Sequence, residues 1–289
     1  MRLEVAQGVS PIEPPPLPEA GRLKSMLHLY AVSAKTAVVV GFQYRVANYF
    51  YMIGMLTEPV IYLVVWSTIA RSQGGVVGGY TPGAFAAYYI VWTLVRQMNI
   101  VFTPYGWEWR IREGQLAGAL LRPVHPIHYD LADLAGWKVV VIVMWLPIAV
   151  VLSLIFHPSI HPTGLGVGVF AFAIWGAYLI RSMNLWLLGM ITFWTTRVSA
   201  IFELYFALEL LLSGRLVPLS LMPAWVRTVA AFLPFKWTFG FPIEALIGQL
   251  NTGQLFFGLA MQAMWVTLGA LAVKLMWRFG VRRFTAVGT

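Results

Sequence analysis

Residues 137–156 read WKVVVIVMWLPIAVVLSLIF, an apolar run in which Lys138 is the only charged residue. A helix of about 20 residues rises about 30 Å, which matches the hydrocarbon thickness of a bilayer. The run therefore predicts a helix that spans a membrane.

The rest of the chain has the same bias. Of its 289 residues, 59% are hydrophobic and 11% are charged, whereas soluble domains are about 45–50% apolar. Counting apolar runs of sufficient length predicts six spans, at about 51–70, 85–105, 137–156, 164–190, 197–213 and 255–277. We therefore expect an all-α integral membrane protein with a transmembrane domain at 50–289.

Two regions outside the six spans have distinct patterns. Residues 1–21 contain five Pro and no apolar run, which indicates a disordered cytosolic tail. Residues 22–49 are apolar but carry Lys24, His28 and Lys35 on one helical face, which is typical of a helix lying in the membrane interface.

The segment between spans five and six, residues 214–253, is apolar but interrupted by Pro218, Pro223, Pro234 and Pro242. Because Pro removes a hydrogen-bond donor and clashes with the preceding turn, only short helices fit between these positions. We expect short re-entrant helices on the external side, dipping part-way into the bilayer.

The distribution of Lys and Arg predicts the orientation. With the N-terminus inside, fourteen of these residues flank the cytoplasmic side and four flank the outside, and Arg96 and Arg181 lie within spans. The four outside are Arg71, Arg215, Arg227 and Lys236. The asymmetry predicts that both termini are cytoplasmic. It also attributes the net charge of +9 to topology rather than to nucleic-acid binding.

On this topology residues 106–136 form the largest cytoplasmic loop between spans, and residues 108–130 of it read EWRIREGQLAGALLRPVHPIHYD. Residues up to Leu121 fit a helix in which Leu116 and Leu120 share a face, and Arg122-Pro123 ends it. Such a helix suits docking into a groove on a cytosolic partner. The alternative is a loop lying flat on the lipid headgroups.

Three sequences carry a resemblance to a known family. They are IREGQLAGALLRPVHP at 111–126, FQYRVANYF at 42–50, and LLSGRLVPLSLMPAWVRTVAAFLPFKWTFGFPIEALIG at 211–248. Together they resemble permease subunits of type-2 ATP-binding-cassette (ABC-2) transporters, in the branch with an I-x-x-G-x-L…LLRP loop. The resemblance extends over nearly the whole chain.

The resemblance implies a function and its partners. It implies that the loop between spans two and three contacts an ABC ATPase, which binds ATP and Mg²⁺, and that a second permease, identical or homologous, completes a dimer. It further implies efflux of a hydrophobic or amphipathic substrate across a prokaryotic plasma membrane. The loop positions that match the family pattern or adjoin it are Arg112, Glu113, Gly114, Leu116, Leu120, Leu121, Arg122 and Pro123.

The sequence offers no catalytic machinery of its own. It has no G-x-x-x-x-G-K-[ST] motif to cradle nucleotide phosphates, and it has no Cys. His125, His128, Asp130 and Asp133 cluster in HPIHYDLAD, but Pro126 prevents a simple helical face for the two His. We therefore expect no cofactor, metal or catalytic residue in this chain.

Charges within spans are costly and mark either a path or a structural pair. Glu58 and Arg96 fall at similar depths of antiparallel spans one and two, so we predict that they pair. The intramembrane polar candidates for translocation are Glu58, Arg96, Asn99, Arg181, Glu203 and Glu209.

Two rival functions use some of the same residues. A proton- or ion-coupled secondary transporter would use Glu58, Glu203 and Glu209, but the halves lack an evident inverted repeat. A membrane-embedded metalloenzyme would use His125, His128 and the nearby aspartates, but no further His cluster supports it. The permease is the function that we predict.

Overall fold

The computed structural model describes residues 19–195 and 198–284. Within this part of the chain the regular structure is helical, and the only strand-like pairing is one isolated bridge between Val77 and Tyr80. The predicted all-α class is confirmed. Residues 1–18 of the predicted tail and Arg197 lie outside the described residues.

The helices are numbered in chain order. They are α1 Glu19–Gln43, α2 Arg45–Gly54, α3 Thr57–Ser72, α4 Pro82–Met98, α5 Pro104–Arg112, α6 Leu116–Leu120, α7 Pro126–Phe156, α8 Gly164–Met190, α9 Ser199–Leu212, α10 Ala224–Phe232, α11 Phe235–Thr238, α12 Gly240–Ile247 and α13 Thr252–Gly280.

Five helical segments of the described chain are long and apolar enough to cross a membrane. They are Leu23–Gln43, Arg45–Ser72, Pro126–Phe156, Gly164–Phe193 and Thr252–Arg283. The last four correspond to predicted spans one, three, four and six. The first falls in the segment predicted to lie in the interface, and that placement stays a prediction.

Predicted spans two and five form shorter helices. The helix α4 has 17 residues and α9 has 14, so α9 rises only about 21 Å at 1.5 Å per residue. The six-span count therefore stays a prediction.

The helix α4 forms the centre of the structure. Its residues from Phe85 to Val95 are all buried, and it packs against α3, α7, α8 and α12. A helix that is apolar on every side is stable when protein surrounds it. The helix ends at Met98, earlier than the predicted limit of 105, and α5 starts only at Pro104. The backbone between them is non-helical, and protein covers much of it.

The helix α1 packs along α7 over much of its length. The close approach depends on Gly136, because a Cβ there would overlap the backbone of Ala34. At one end of this contact the Tyr30 hydroxyl and His128 Nδ1 are 3.1 Å apart. The N-terminal helix is thus attached to the transmembrane helices by side-chain packing.

The segment predicted to contain short helices does contain them. The helices α10 and α11 follow Pro223 and Pro234 directly. Pro242 lies inside α12 but in its first turn. Backbone N–H groups in the first turn have no intrahelical acceptor, so Pro removes no helical hydrogen bond there. The prediction of short helices is confirmed, and their depth in the bilayer stays a prediction.

Loops predicted on the external side meet at one end of the structure. The Ser159 backbone N–H donates to the Gly83 carbonyl at 2.9 Å, and the His161 N–H donates to the Ile247 carbonyl at 3.5 Å. The connections 73–83, 157–163 and 247–251 are therefore neighbours, as the alternation of spans predicts.

The opposite end collects segments predicted to be cytoplasmic. The Trp277 ring, near the end of α13, lies 6.1 Å from the Trp107 ring, 4.2 Å from the His125 ring and 6.3 Å from the Phe193 ring. The loop 106–136, the end of α8 and the end of α13 thus share one aromatic contact.

Candidate functional site

The helices α5 and α6 form a helical hairpin at the end that contains Trp277. The predicted helix in which Leu116 and Leu120 lie one turn apart is present as α6, which ends before Arg122-Pro123. Gly114 has a φ of +69°, a left-handed conformation that suits Gly, and it separates α5 from the five-residue α6. The loop therefore turns at Gly114 before its leucines.

The turn changes which leucines face outward. The Leu116 side chain is 0% exposed and packs in a cluster with Trp107, Trp186 and Met190. Leu120 is 38% exposed and Leu121 is 89% exposed. The prediction that Leu116 presents a docking face is therefore corrected, because Leu116 belongs to the interior and anchors the hairpin.

The exposed part of the hairpin, termed the loop face, combines one apolar centre with charged neighbours. Arg112 Nη1 lies 2.8 Å from Glu108 Oε1 one helical turn away. The Arg122 guanidinium lies 5.0 Å from the centre of the Tyr129 ring. The loop face consists of Arg112, Glu113, Leu120, Leu121, Arg122 and Pro123.

Side-chain packing attaches the hairpin firmly to the transmembrane helices. The helix α5 crosses α8 at Gly189, where a Cβ would overlap the Trp107 side chain. Arg110 Nη1 lies 2.8 Å from Asp130 Oδ2 on α7, and its guanidinium lies 3.9 Å from the Phe102 ring. A force on the loop face would therefore reach α7 and α8 through short, buried contacts.

The His and Asp residues of the same loop have structural partners. His125 caps α7, because its Nδ1 accepts the Ile127 backbone N–H at 3.3 Å. Burial, followed by the neighbouring His128, lowers the pKa of His125 to about 4, so this ring is neutral at physiological pH. With His128 bonded to Tyr30 and Asp130 to Arg110, the geometry gives these side chains packing and capping roles.

A second region of interest lies inside the helix bundle. The predicted pair is present: Arg96 Nη1, in the last turn of α4, lies 2.5 Å from Glu58 Oε2, in the first turn of α3. The predicted pairing of these two side chains is confirmed.

The pair continues into a longer chain of charges. Arg215 Nη2 lies 3.2 Å from Glu58 Oε1, and Arg215 Nη1 lies 3.7 Å from Glu209 Oε2. Glu209 also accepts two bonds from Arg181, at 2.7 and 2.9 Å. We term Glu58, Arg96, Arg181, Glu209 and Arg215 the charge cluster.

Sequence reasoning missed Arg215, and the assignment of Glu203 as a translocation candidate stays a prediction. Arg215 was counted among the external flanking charges, but the break at Gly214 (φ +86°) turns the chain so that its guanidinium lies between Glu58 and Glu209. Glu203 is exposed on α9, and no ion pair within the described residues includes it.

The end of α4 supplies further acceptors for cations. Arg181 donates to the Asn99 carbonyl, and Lys138 donates to the carbonyls of Gln97, at 3.3 Å, and Ile100. The last carbonyls of a helix lack intrahelical donors and carry a partial negative charge, so they stabilise cations there. Asn99 itself donates to the Thr238 carbonyl at 2.6 Å, which fixes the helix end to α11.

Aromatic rings lie against the guanidinium groups. The Trp92 ring centre lies 5.2 Å from Arg96 and 5.8 Å from Arg215. The Phe239 ring centre lies 5.8 Å from Arg181 and 5.7 Å from Arg215. These rings shield the guanidinium groups from water and attract them by cation–π interaction. The cluster therefore connects α3, α4, α8, α9 and the 213–215 turn in one low-dielectric region.

Comparison with known proteins agrees with this architecture. No curated protein matches the chain. Residues 56–288 match a family model described as "ABC-2 family transporter protein". The matched range contains α3 to α13, the hairpin and the whole charge cluster, while the narrower branch defined by the loop motif stays a prediction. The chain therefore belongs to the ABC-2 transporter family, and it is a multi-pass membrane permease of an ABC transporter.

Proposed function

We propose that the chain is one half of an exporter in which a separate ABC ATPase docks on the loop face and drives alternating access. ATP and Mg²⁺ bind to the ATPase, and this chain supplies the transmembrane path. The substrate is a hydrophobic or amphipathic molecule leaving a prokaryotic cytoplasm. The observation that carries the proposal is the exposure of Leu121 on a hairpin that is otherwise firmly packed.

Leu121 has the properties of an interface anchor. It is an apolar side chain exposed on a polar loop, next to Arg122 and Pro123. Burying a Leu side chain against a partner contributes about 1.5–3 kcal/mol, and such central anchors surrounded by polar residues dominate binding energy. The neighbouring Arg112, Glu113 and Arg122 would provide the polar rim.

The packing of the hairpin supports transmission of the ATPase movement. Trp107 and Leu116 join the hairpin to α8 and α13, and α8 carries Arg181 of the charge cluster. Closure of the ATPases would push on the hairpin and tilt α8 as a unit, because packed helices shift between discrete arrangements rather than deform continuously.

A second permease completes the path in this proposal. Six spans are too few to line a sizeable path alone, and the described helices expose apolar surfaces outward, including Leu204 and Leu208 on α9 and Val150 and Leu154 on α7. Lipid covers some of these surfaces and the second permease covers others.

The test replaces Leu121 by Arg in the permease co-expressed with its ATPase subunit. We expect Leu121→Arg to lower ATPase co-purification and the ATP hydrolysis of the complex by about tenfold or more, because a charge replaces the buried anchor. Val76→Arg, at an exposed apolar position in the loop predicted to be external, is the matched control and should leave both values unchanged. Unchanged ATPase binding by Leu121→Arg would contradict the proposal.

A further inference from the structure

A crevice opens beside the charge cluster. Its volume is about 480 Å³, and Thr57, Glu58, Ile61, Tyr62 and Arg96 line it. The side chains of Glu58 and Arg96 remain 28% and 21% exposed, so their charged groups are accessible from the crevice. The crevice therefore gives a ligand access to one end of an otherwise buried cluster.

The charges of the cluster do not balance. It contains three guanidinium groups and two carboxylates. Within the described chain no third carboxylate pairs with these groups. An uncompensated cation in a low-dielectric region is costly, so the cluster attracts an anion.

Hydrogen-bond donors are also in excess. Each guanidinium carries five N–H groups in a planar fork that matches carboxylate and phosphate oxygens. Arg96 uses Nη1 on Glu58. The buried Nε–H of Arg215 has no acceptor among the described residues. A ligand oxygen in the crevice would accept from the N–H groups of Arg96 that Glu58 does not use.

The surface next to the crevice is apolar. Ile61, Val64 and Val65 of α3 are exposed on one helical face, and Ile61 also lines the crevice. A hydrocarbon chain attached to the acidic group would lie along this face. The two surfaces together fit an amphiphile whose polar end is an anion.

We propose that the crevice binds the acidic headgroup of an amphiphile, a phosphate or carboxylate group, through Arg96. Glu58 competes with the ligand for this guanidinium group, and this competition makes the sign of its substitution informative. The assignment of the amphiphile as transported cargo rests on the proposed function, whereas its binding requires no ATPase.

The experiment measures binding to the permease alone, reconstituted in phosphatidylcholine nanodiscs, by equilibrium dialysis against radiolabelled dodecyl phosphate with empty nanodiscs subtracted. We expect saturable binding of dodecyl phosphate, and neither dodecyl maltoside, which has the same hydrocarbon chain and no charge, nor inorganic phosphate should displace it at equal concentration. Displacement by dodecyl maltoside would overturn the anion assignment. Displacement by inorganic phosphate would overturn the requirement for a hydrocarbon chain.

Three variants decide which residues bind. Arg96→Gln should weaken binding by about tenfold or more, because it removes a charged hydrogen bond. Glu58→Gln should tighten binding, because the carboxylate that competes with the ligand is lost. This variant also tests the proposal if Arg96→Gln fails to fold. Arg227→Gln, which removes an exposed Arg of α10 outside the charge cluster and the loop face, is the control and should bind normally.

Weaker binding by Glu58→Gln would overturn the proposal, since it would mean that the Glu58 carboxylate contacts the ligand instead of competing with it. Leu121→Arg separates this proposal from the proposed function, because it should uncouple the ATPase while leaving dodecyl phosphate binding intact. If Leu121→Arg uncouples the ATPase as expected but dodecyl phosphate shows no saturable binding, the crevice proposal is overturned and the proposed function stands.

Discussion

Glu209 is the central carboxylate of the charge cluster. It is buried, it accepts two bonds from Arg181, and it lies 3.7 Å from Arg215. Removing one member of a buried ion pair leaves the other charge without compensation, which is far more costly than losing a surface pair. The stability of the bundle therefore depends on this one carboxylate more than on any exposed acid of α9.

We predict that Glu209→Gln lowers the free energy of unfolding by about 3–5 kcal/mol. Unfolding of the detergent-solubilised protein by heat or denaturant, followed by circular dichroism, measures the change. Glu203→Gln is the matched control on the same helix, because Glu203 is exposed, and it should stay within about 0.5 kcal/mol of the parent. Equal effects of the two substitutions would contradict the buried role of Glu209.

At the scale of elements, the α5–α6 hairpin illustrates how a short helix is held in place. A helix of five residues is not stable by itself, because the conformational entropy lost in nucleating it exceeds the stabilisation from so few hydrogen bonds. The helix α6 is held by the burial of Leu116 and by the turn at Gly114. The loop face therefore keeps its shape because of contacts to α5, α8 and α13.

We predict that Gly114→Ala destabilises the hairpin by about 1–2 kcal/mol, because Ala is strained at a φ of +69°. When the complex that contains Gly114→Ala is heated, its ATP hydrolysis should fall at a lower temperature than that of the parent complex. Gly118→Ala is the matched control, since Gly118 is helical and a Cβ there meets open space. It should be neutral or slightly stabilising. Identical thermal profiles for both variants would argue against a strained turn at Gly114.

At the scale of the whole molecule, the two ends of the bundle carry different chemistry. The end with the loop face is rich in Arg and aromatic side chains, and the other end gathers the connections 73–83, 157–163 and 247–251. The excess of Lys and Arg predicts that the loop face lies in the cytosol. This orientation stays a prediction, and the absence of Cys from the chain makes a direct test simple.

We predict that a single Cys at position 121 reacts with a membrane-impermeant maleimide only after cells are permeabilised, whereas a Cys at position 76 reacts in intact cells. Both parent side chains, Leu121 and Val76, are exposed, so access depends on the side of the membrane. The Cys-free parent should remain unlabelled. The reverse labelling pattern would show that the charge asymmetry assigns the wrong orientation.

The sequence alone was sufficient for the fold class, the four long spans and the Glu58–Arg96 pair. Each depends on a local property, namely the length of an apolar run or the depth of a charge in its span, and local properties can be read from residue order. The short external helices were predictable for the same reason, because Pro limits helix length wherever it occurs.

Only the tertiary structure decided which residues of each segment are buried. Whether Leu116 faces a partner or the interior depends on a left-handed turn at Gly114 and on space beside Trp107, and neither can be read from the i,i+4 spacing of leucines. Likewise Arg215 joins the charge cluster because the turn at Gly214 directs it between Glu58 and Glu209. The sequence determined a membrane permease, and long-range packing decided where its charges meet, because the contact between Glu58 and Arg215 joins residues 157 positions apart.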